Sequence, residues 1–318
     1  MSKTAEQMKL DLKGRDFIEL NDFTTEEIEY LIQLAVDIKK KHKNGEVYQP
    51  LQGKTLGLIF EKSSTRTRVS FEVGMYQLGG HALFLSKNDI QLGRGETISD
   101  TAQVMSRYLD GIMIRTFGHH NVVDLARYST IPVINGLSDL AHPCQVLADY
   151  QTVYEHKGKL RGLKVAYIGD GNNMAHSLMI GAAKLGMHIS VASPEGYAPD
   201  AQVVAESQDI AAGTGSRVEV TTDVQAAVKD ADVIYTDVWA SMGFEEEQKQ
   251  RELAFADYQV NEELVKLAKP DYLFMHCLPA HRGEEVSAGV IDGPNSVIFD
   301  EAENRLHAQK ALLVALMS

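Results

Sequence analysis

Between residues 61 and 71 the chain reads EKSSTRTRVSF, which sets the hydroxyls of Ser63, Ser64, Thr65 and Thr67 among the cations Arg66 and Arg68. A helix start uses one good hydroxyl cap, so most of this cluster lacks a folding reason. Hydroxyl donors and planar guanidinium forks at a helix N-terminus suit a phosphate dianion. The competing reading is one serine cap with solvated arginines. No GxxxxGK[ST] run is present, so this is not a Walker loop. Its place after the apolar run KTLGLIF favours an anion site, because open α/β sheets bind ligands at the carboxyl ends of their strands.

Other polar positions carry weaker signals singly. Arg115 ends GIMIR and either pairs with a structural carboxylate or faces a ligand. His142 precedes Pro143 in SDLAHPCQVLAD, with Gln145 in the first helical turn, and alone it reads as a satisfied cap. YIGDGNNMAHS approaches a dinucleotide turn, with Glu195 near the spacing of a ribose-binding acid. Met174 stands where the third glycine belongs, however, and the amides Asn172 and Asn173 suit a carboxylate or amino group better than a pyrophosphate. TDVWASMG sets Asp237 after a strand, ahead of Ser241, Met242 and Gly243, a pattern equally given by an ordinary strand exit and turn. Cys277 adjoins a Leu-Pro step in MHCLPAHRG; free cysteines mostly pack inertly, but this one lies at the ligand-binding edge of a sheet. Arg305, opening the final helical pattern DEAENRLHAQKALLVALM, is by default a surface ion pair.

The elements that must position these groups are legible as periodicity. Thr24 and Glu27 form a capping-box pattern ahead of an apolar face of Ile28, Leu31, Ile32 and Ala35, with Gly45 as the stop. The runs KTLGLIF, HALFLS, DGIMIRTF, IPVINGL, KVAYIGD, HISVASP, RVEVTTD, DVIYTDVW, YLFMHCL and SVIFD read as strands with helices between them. Continuous apolar strands require parallel sheets covered on both faces. The expected class is α/β: two doubly wound parallel-sheet domains joined by interdomain helices. LRGLKVAYIGDGNN starts a fresh βαβ unit, so the boundary is expected near Tyr150, with domains over 1–150 and 151–302.

A chain of 318 residues, 44% of them hydrophobic, is long enough for two cores. Its formal charge of −13 would repel nucleic acid and anionic membranes, so any basic site must be local. Cys144 and Cys277 are far apart and outside any CxxC pattern, which supports neither a disulfide scaffold nor a structural zinc site and fits a reducing compartment. The N-terminal stretch has no apolar signal region, and no run reaches the ~18 apolar residues of a membrane span, so a cytoplasmic location is expected. Neither a metal nor a cofactor is expected.

The set STRTR (64–68), HPCQ (142–145), DVWASMG (237–243) and HCLP (276–279), in this order, resembles the carbamoyltransferases and most closely their ornithine branch. The resemblance runs nearly end to end. It implies that Ser64, Thr65, Arg66 and Thr67 hold the phosphate of carbamoyl phosphate together with Arg115, and that His142 and Gln145 lie near the carbamoyl group. It further implies that Arg305 joins them from the last helix and that Gln91, in SKNDIQLGRGE, approaches the same substrate. Asn173, Asp237, Ser241 and Met242 would hold the α-amino and α-carboxylate groups of ornithine, with Cys277 and Leu278 beside the reacting carbon and side-chain amine. The implied catalytic set is Arg66, Arg115, His142 and Cys277. The implied fold is a carbamoyl phosphate domain and an ornithine domain, with the last helix, about 303–318, packing back on the first. Trimers with active sites at subunit boundaries, and larger assemblies of trimers, are also implied.

Carbamoyl transfer fits these residue types. An amine attacks a carbonyl carbon whose oxygen gains charge, and Arg115, His142 and Thr67 would stabilise that oxyanion while phosphate leaves. A Lys-like ammonium of pKa ~10.4 is only about one part in a thousand neutral near pH 7.4, so the site must select or generate the neutral amine. The run ASMGFEEEQKQRELAF has no clear core face and is expected to form a lid over ornithine. Among rivals, an aspartate enzyme would carry His-Pro-Leu-Pro where this chain has His-Cys-Leu-Pro, and a putrescine enzyme would not need Asp237 or the Ser-Met-Gly turn. A non-catalytic binding subunit and a nicotinamide oxidoreductase remain further alternatives.

Overall fold

The computed structural model describes residues 4–92, 95–240 and 247–318. The chain divides into two compact units, Met1–Gln151 with Glu303–Ser318, and Thr152–Ala302. In the first unit the helices are α1 (Ala5–Leu12), α2 (Thr25–Lys43), α3 (Thr65–Gln77), α4 (Ile98–Met105), α5 (His119–Tyr128) and the start of α6 (Pro143–Lys157). Strands β1 (Thr55–Phe60), β2 (His81–Ser86), β3 (Gly111–Arg115) and β4 (Val133–Leu137) form a parallel sheet in the order β2-β1-β3-β4.

Local chemistry explains these elements. In α2 the Thr24 hydroxyl accepts from Glu27 N–H at 3.2 Å and the Glu27 carboxylate accepts from Thr24 N–H at 2.9 Å. The helix stops at Lys43, and Gly45 takes φ +70°, a left-handed turn that glycine adopts without a Cβ penalty. All of β3 is buried, as its unbroken apolar run requires, and Ile112 and Ile114 pack with Ile59, Val122, Leu125 and Val133. The order reverses direction between β1 and β3, so the loops leaving these two strands diverge and open a crevice at their carboxyl ends. A register shift between Ile114 and Arg115 against β4 places a bulge at this point, where such irregularities re-aim side chains.

The second unit holds β5 (Lys164–Ile168), β6 (His188–Ala192), β7 (Val218–Thr221), β8 (Val233–Thr236) and β9 (Leu273–His276), parallel throughout in the order β7-β6-β5-β8-β9. Its helices are α7 (Asn173–Lys184), α8 (Ala201–Thr214), α9 (Val224–Val228), α10 (Gln248–Ala254), α11 (Glu262–Val265), α12 (Ala288–Ile291) and the start of α13 (Ile298–Met317). Here the reversal lies between β5 and β8. Ile168, Ile234, Trp239, Phe255, Phe274 and Val286 are among its core residues.

Chain passages between the units lie within α6 and α13. From Glu303 onward α13 packs with the first unit: Lys39 Nζ donates to Asn304 Oδ1 at 2.7 Å and Lys310 Nζ to Gln77 Oε1 at 2.9 Å. The run SVIFD is not a strand. Ser296 makes a single bridge to Phe274, and helix begins at Ile298, where Asp300 and Glu301 favour the positive end of a helix. Phe299 is 72% exposed, which a strand buried on both faces would not allow. Arg305 therefore sits about two turns into α13 rather than at its start.

Candidate active site

In the first unit, Ser64 caps α3, its Oγ accepting from Thr67 N–H at 3.2 Å. The N–H groups of Thr65 and Arg66 precede the helix's own hydrogen-bond ladder and lie at its positive end. Arg68 instead pairs with Glu72 Oε1 at 2.9 Å and lies 3.6 Å from the Phe84 ring centroid, a structural use. Arg115, buried, pairs in register with Phe60, the residue that ends β1, so it stands at the switch point beside the loop into α3.

Burial continues behind this cradle. Arg305 donates to Gln145 Oε1 at 2.6 Å and to Thr67 Oγ1 at 3.2 Å, and Gln145 Nε2 donates to Asp149 Oδ1 at 2.8 Å. These links fix Thr67 and Gln145 through a residue of the last helix. His142 occupies the cap position of α6, its carbonyl accepting from Gln145 N–H at 3.2 Å and Val146 N–H at 3.3 Å. Burial, followed by the charges of Arg305, Arg115, Lys62 and Arg66, holds its imidazole well below the ordinary histidine pKa. It is therefore a neutral donor or acceptor set among cations. Cys144 is inert packing: burial pushes its thiol up to about 12, and Sγ donates to Asn135 O at 3.3 Å.

Gln91 is exposed, and among the described residues it makes no hydrogen bond to the other candidates. Lys62, which the sequence reading passed over, adds to the charge around His142. A supporting network was also missed: Asn121 donates to Thr116 Oγ1 at 3.0 Å, Thr116 donates to Glu61, and Glu61 pairs with Lys87 at 3.2 Å. Adjacency to the STRTR run and to Arg115 was the available signal for Lys62 and Thr116.

In the second unit, the turn after β5 delivers Asn172 as the cap of α7, its Oδ1 accepting from Met174 N–H at 2.9 Å and Ala175 N–H at 3.3 Å. Its Nδ2 donates to Asp237 Oδ2 at 3.0 Å, across the switch point. Asp237 is buried and also accepts from Val238 N–H at 2.8 Å and from the Cys277 thiol at 3.2 Å. Among the described residues it forms no ion pair, so a buried carboxylate is held by neutral donors alone. Asn173, half-buried, is the first residue of α7, while its neighbour Asn172 makes the bond to Asp237. Ser241 and Met242 lie outside the described residues.

The dinucleotide reading fails on packing. A Cβ at Gly171 would come within 2.1 Å of Pro199 N and 2.3 Å of Ala198 C, so the chain's own backbone occupies the close approach a pyrophosphate needs. The run expected to form a lid has a core contact after all. Residues 241–246 of that run lie outside the described residues, but 248–254 form α10, anchored by buried Arg251. Its guanidinium donates to Asp170 Oδ2 at 2.7 Å and to Trp239 O at 3.0 Å, and lies 5.1 Å from the Tyr197 ring centroid. The core face that seemed absent is an arginine.

Asp237, His276 and Cys277 bring an oxygen, a nitrogen and a sulfur within 4.8 Å of one another, and His281, Glu284 and Glu285 bring a nitrogen and two carboxylate oxygens equally close. His276 is a poor metal ligand here because Nδ1 accepts from Leu278 N–H at 2.9 Å and Nε2 faces Glu285 Oε1 at 3.1 Å. Leu278 itself takes φ +56° ahead of a cis bond to Pro279.

A cationic cradle stands at the switch point of one parallel sheet and an amide–carboxylate–thiol group at that of another, which suits the first unit to an anion and the second to an amino compound. Residues 15–155 match the aspartate/ornithine carbamoyltransferase carbamoyl-P binding domain, and residues 161–316 match the Asp/Orn binding domain of the same family. The chain belongs to the aspartate/ornithine carbamoyltransferase family. It is 66% identical over 308 residues to the ornithine carbamoyltransferase of Oceanobacillus iheyensis, covering 97% of this chain and 96% of that one. It is 59% identical over 310 residues to the anabolic ornithine carbamoyltransferase of Pyrococcus furiosus, covering 98% of each. Among solved structures, ornithine carbamoyltransferase from Pyrococcus furiosus superposes with a TM-score of 0.94 at 60% identity, covering 96% of this chain and 98% of that one. The enzyme from Thermus thermophilus gives 0.85 at 40% identity, covering 95% and 99%.

Proposed function

We propose that this protein transfers the carbamoyl group of carbamoyl phosphate to the side-chain amine of L-ornithine, giving L-citrulline and phosphate. The observation that carries the choice of acceptor is Asp237, a buried carboxylate without an ion pair among the described residues and fixed by Asn172 and Cys277. A buried anion held by neutral donors gains most from a cation, and an α-ammonium group supplies one. Putrescine lacks an α-amino acid head, and aspartate brings a second carboxylate that the Cys277–Asp237 pair would repel.

The residue roles proposed are those the family resemblance implies, supported in part by the local geometry. Thr65 and Arg66 at the start of α3, with the Ser64 hydroxyl and Arg115, take the phosphate, and Gln91 approaches it. Arg305 acts through Thr67 and Gln145, which it holds by two hydrogen bonds. Neutral His142 donates to the carbamoyl oxygen rather than adding charge. The neutral ornithine amine attacks the carbonyl carbon, and Arg115, His142 and Thr67 stabilise the oxyanion of the tetrahedral intermediate. Its collapse breaks the C–O bond to phosphate, and the proton of the former amine passes to the departing phosphate. Asn173, Ser241 and Met242 contribute to binding the ornithine head group, and Cys277 and Leu278 lie beside its reacting end.

The first unit, Met1–Gln151 with Glu303–Ser318, is the carbamoyl phosphate domain, and the second, Thr152–Ala302, the ornithine domain. We assign the protein to the cytoplasm and to arginine biosynthesis. Two free thiols suit a reducing compartment, and no helix of the described residues is long and apolar enough to cross a membrane. A homotrimer, alone or in larger assemblies, is what the family resemblance implies, and exposed Val69 and Tyr76 on α3 and Leu83 on the edge strand β2 are apolar side chains that a subunit contact would cover.

The test is product formation from carbamoyl phosphate with L-ornithine, putrescine or L-aspartate, using Arg66→Ala as control. Citrulline from ornithine alone, abolished in the variant, is the expected result. Preference for another acceptor would overturn the Asp237 argument, and no product with any acceptor would leave a binding protein.

A further inference from the structure

The end of β9 is tied to a loop 9 residues further on by a chain of buried hydrogen bonds. His276 is buried, and its backbone N–H donates to Glu301 Oε2 at 2.9 Å. Its ring is the centre of the arrangement: Nδ1 accepts from Leu278 N–H at 2.9 Å, and Nε2 lies 3.1 Å from Glu285 Oε1. The donors and acceptors fix the tautomer. A nitrogen that receives an amide N–H must carry a lone pair, so the proton of a neutral ring is on Nε2 and points at the Glu285 carboxylate. An imidazolium would have N–H at both positions and would repel the Leu278 amide.

Glu285 is buried, and the same Oε1 also accepts from His281 N–H at 2.7 Å. Its own segment is held independently. Val260 N–H donates to Glu285 O at 2.9 Å, Gly283 N–H to Val286 O at 2.8 Å, and Arg282 forms a forked pair with Asp292 at 2.9 and 2.7 Å. The carboxylate is thus a fixed post, and His276 is a strut from it to the amide of Leu278. What the strut holds is unusual backbone. Leu278 has φ +56°, a left-handed conformation that a branched side chain adopts only when its surroundings over-determine it. The amide that His276 captures is the one whose plane sets the direction of Cys277, the residue whose thiol reaches Asp237 at 3.2 Å.

We propose that Glu285 is a positioning residue for carbamoyl transfer. Through the Nε2–H tautomer of His276 it locks the Cys277–Leu278 backbone in the left-handed turn that presents the thiol and main chain to ornithine. The inference rests on the carbamoyltransferase reading for its kinetic consequence, but the tautomer and the turn belong to the protein without substrate. Glu285 touches no reacting atom. Its requirement is for an acceptor of fixed position, so a glutamine, whose amide oxygen accepts from both His276 and His281, fulfils it, whereas alanine does not.

Two measurements on the full-length enzyme test this. Long-range ¹⁵N–¹H correlation of the histidine rings, with His276 assigned by its loss in His276→Gln, reads the tautomer at neutral pH without substrate. The expected result is Nε2–H in the wild type and in Glu285→Gln, with loss of the single tautomer in Glu285→Ala. An Nδ1–H or doubly protonated His276 in the wild type overturns the proposal. Steady-state kinetics then separate positioning from folding. Glu285→Ala is expected to lower kcat for ornithine by about 10- to 100-fold while the KM for carbamoyl phosphate stays within about twofold, and Glu285→Gln to recover most of the loss. A Glu285→Ala kcat within about twofold of wild type, or a Glu285→Gln variant as impaired as Glu285→Ala, counts against it. If the wild type carbamoylates no acceptor, the functional reading fails, while the tautomer result still decides the strut. Should Glu285→Ala not fold, the wild-type tautomer and the Glu285→Gln comparison remain decisive.

Discussion

His307 makes the seating of α13, and with it Arg305, dependent on pH. Its buried ring lies 3.4 Å from Glu303 Oε1 and 5.7 Å from the His42 ring. Burial first, and then the charge of Lys310, pushes its pKa down from 6.5 to about 4, with Lys39 adding in the same direction and Glu303 opposing. A histidine held below its unfolded value binds fewer protons in the folded protein, so stability falls as pH falls through 6.5 toward about 4. At pH 5 the unfolded ring is almost wholly charged and the folded ring only about one-tenth so, which from pH 7 to pH 5 amounts to a loss of about 2 kcal/mol. For a chain of 318 residues that corresponds to roughly 3 °C in the thermal midpoint. The assay is thermal or urea unfolding of wild type and His307→Gln at both pH values. Glutamine keeps a polar side chain but does not titrate, so the acid-induced loss should shrink by about 2 kcal/mol in the variant. An identical pH dependence in the two proteins would refute the reasoning. His142, also depressed by burial, remains in both and cancels from the difference.

Arg305→Lys keeps the charge but loses the fork that reaches both Gln145 and Thr67, so one buried partner is left unmet. The expected cost is about 1–3 kcal/mol, read as a lower thermal midpoint and a carbamoyl phosphate kcat/KM down about tenfold or more. Asp237→Asn removes the charge but not the shape; the KM for ornithine should rise about 30-fold in steady-state assays, with that for carbamoyl phosphate unchanged. Arg251→Met leaves half-buried Asp170 without its cation and should cost about 2 kcal/mol in urea unfolding, whereas a neutral result would mean that α10 is seated by other contacts.

How much of this was legible in sequence depended on whether the relevant chemistry lay in one segment. The hydroxyl–arginine cluster before α3 announced itself because cap, cations and helix start are consecutive. The strands were readable for the same reason, since burial on both faces leaves a continuous apolar run. SVIFD imitated such a run, and only the acids of the first helical turn and the exposed Phe299 distinguish it. Pattern reading also treats arginine as solvent-seeking, so α10 looked coreless when its buried contact is the Arg251 guanidinium on Asp170.

The illegible part consists of pairs distant in sequence that meet at the sheet switch points. Arg305 and Thr67 are 238 residues apart, and Asn172 and Asp237 are 65 apart. Nothing local identifies Asn172 rather than Asn173 as the residue that grips Asp237; the helix cap geometry decides it, by turning one amide along the helix axis and across to the next strand. Each switch point therefore does the same physical work twice. Parallel strands that reverse their order bring two loops together: in the first unit the loop from β1 into α3 leaves beside Arg115 at the end of β3, and in the second Asn172, the cap of α7, is set against Asp237, which follows β8. Sequence order names the residues of each pair separately, and the topology makes them partners.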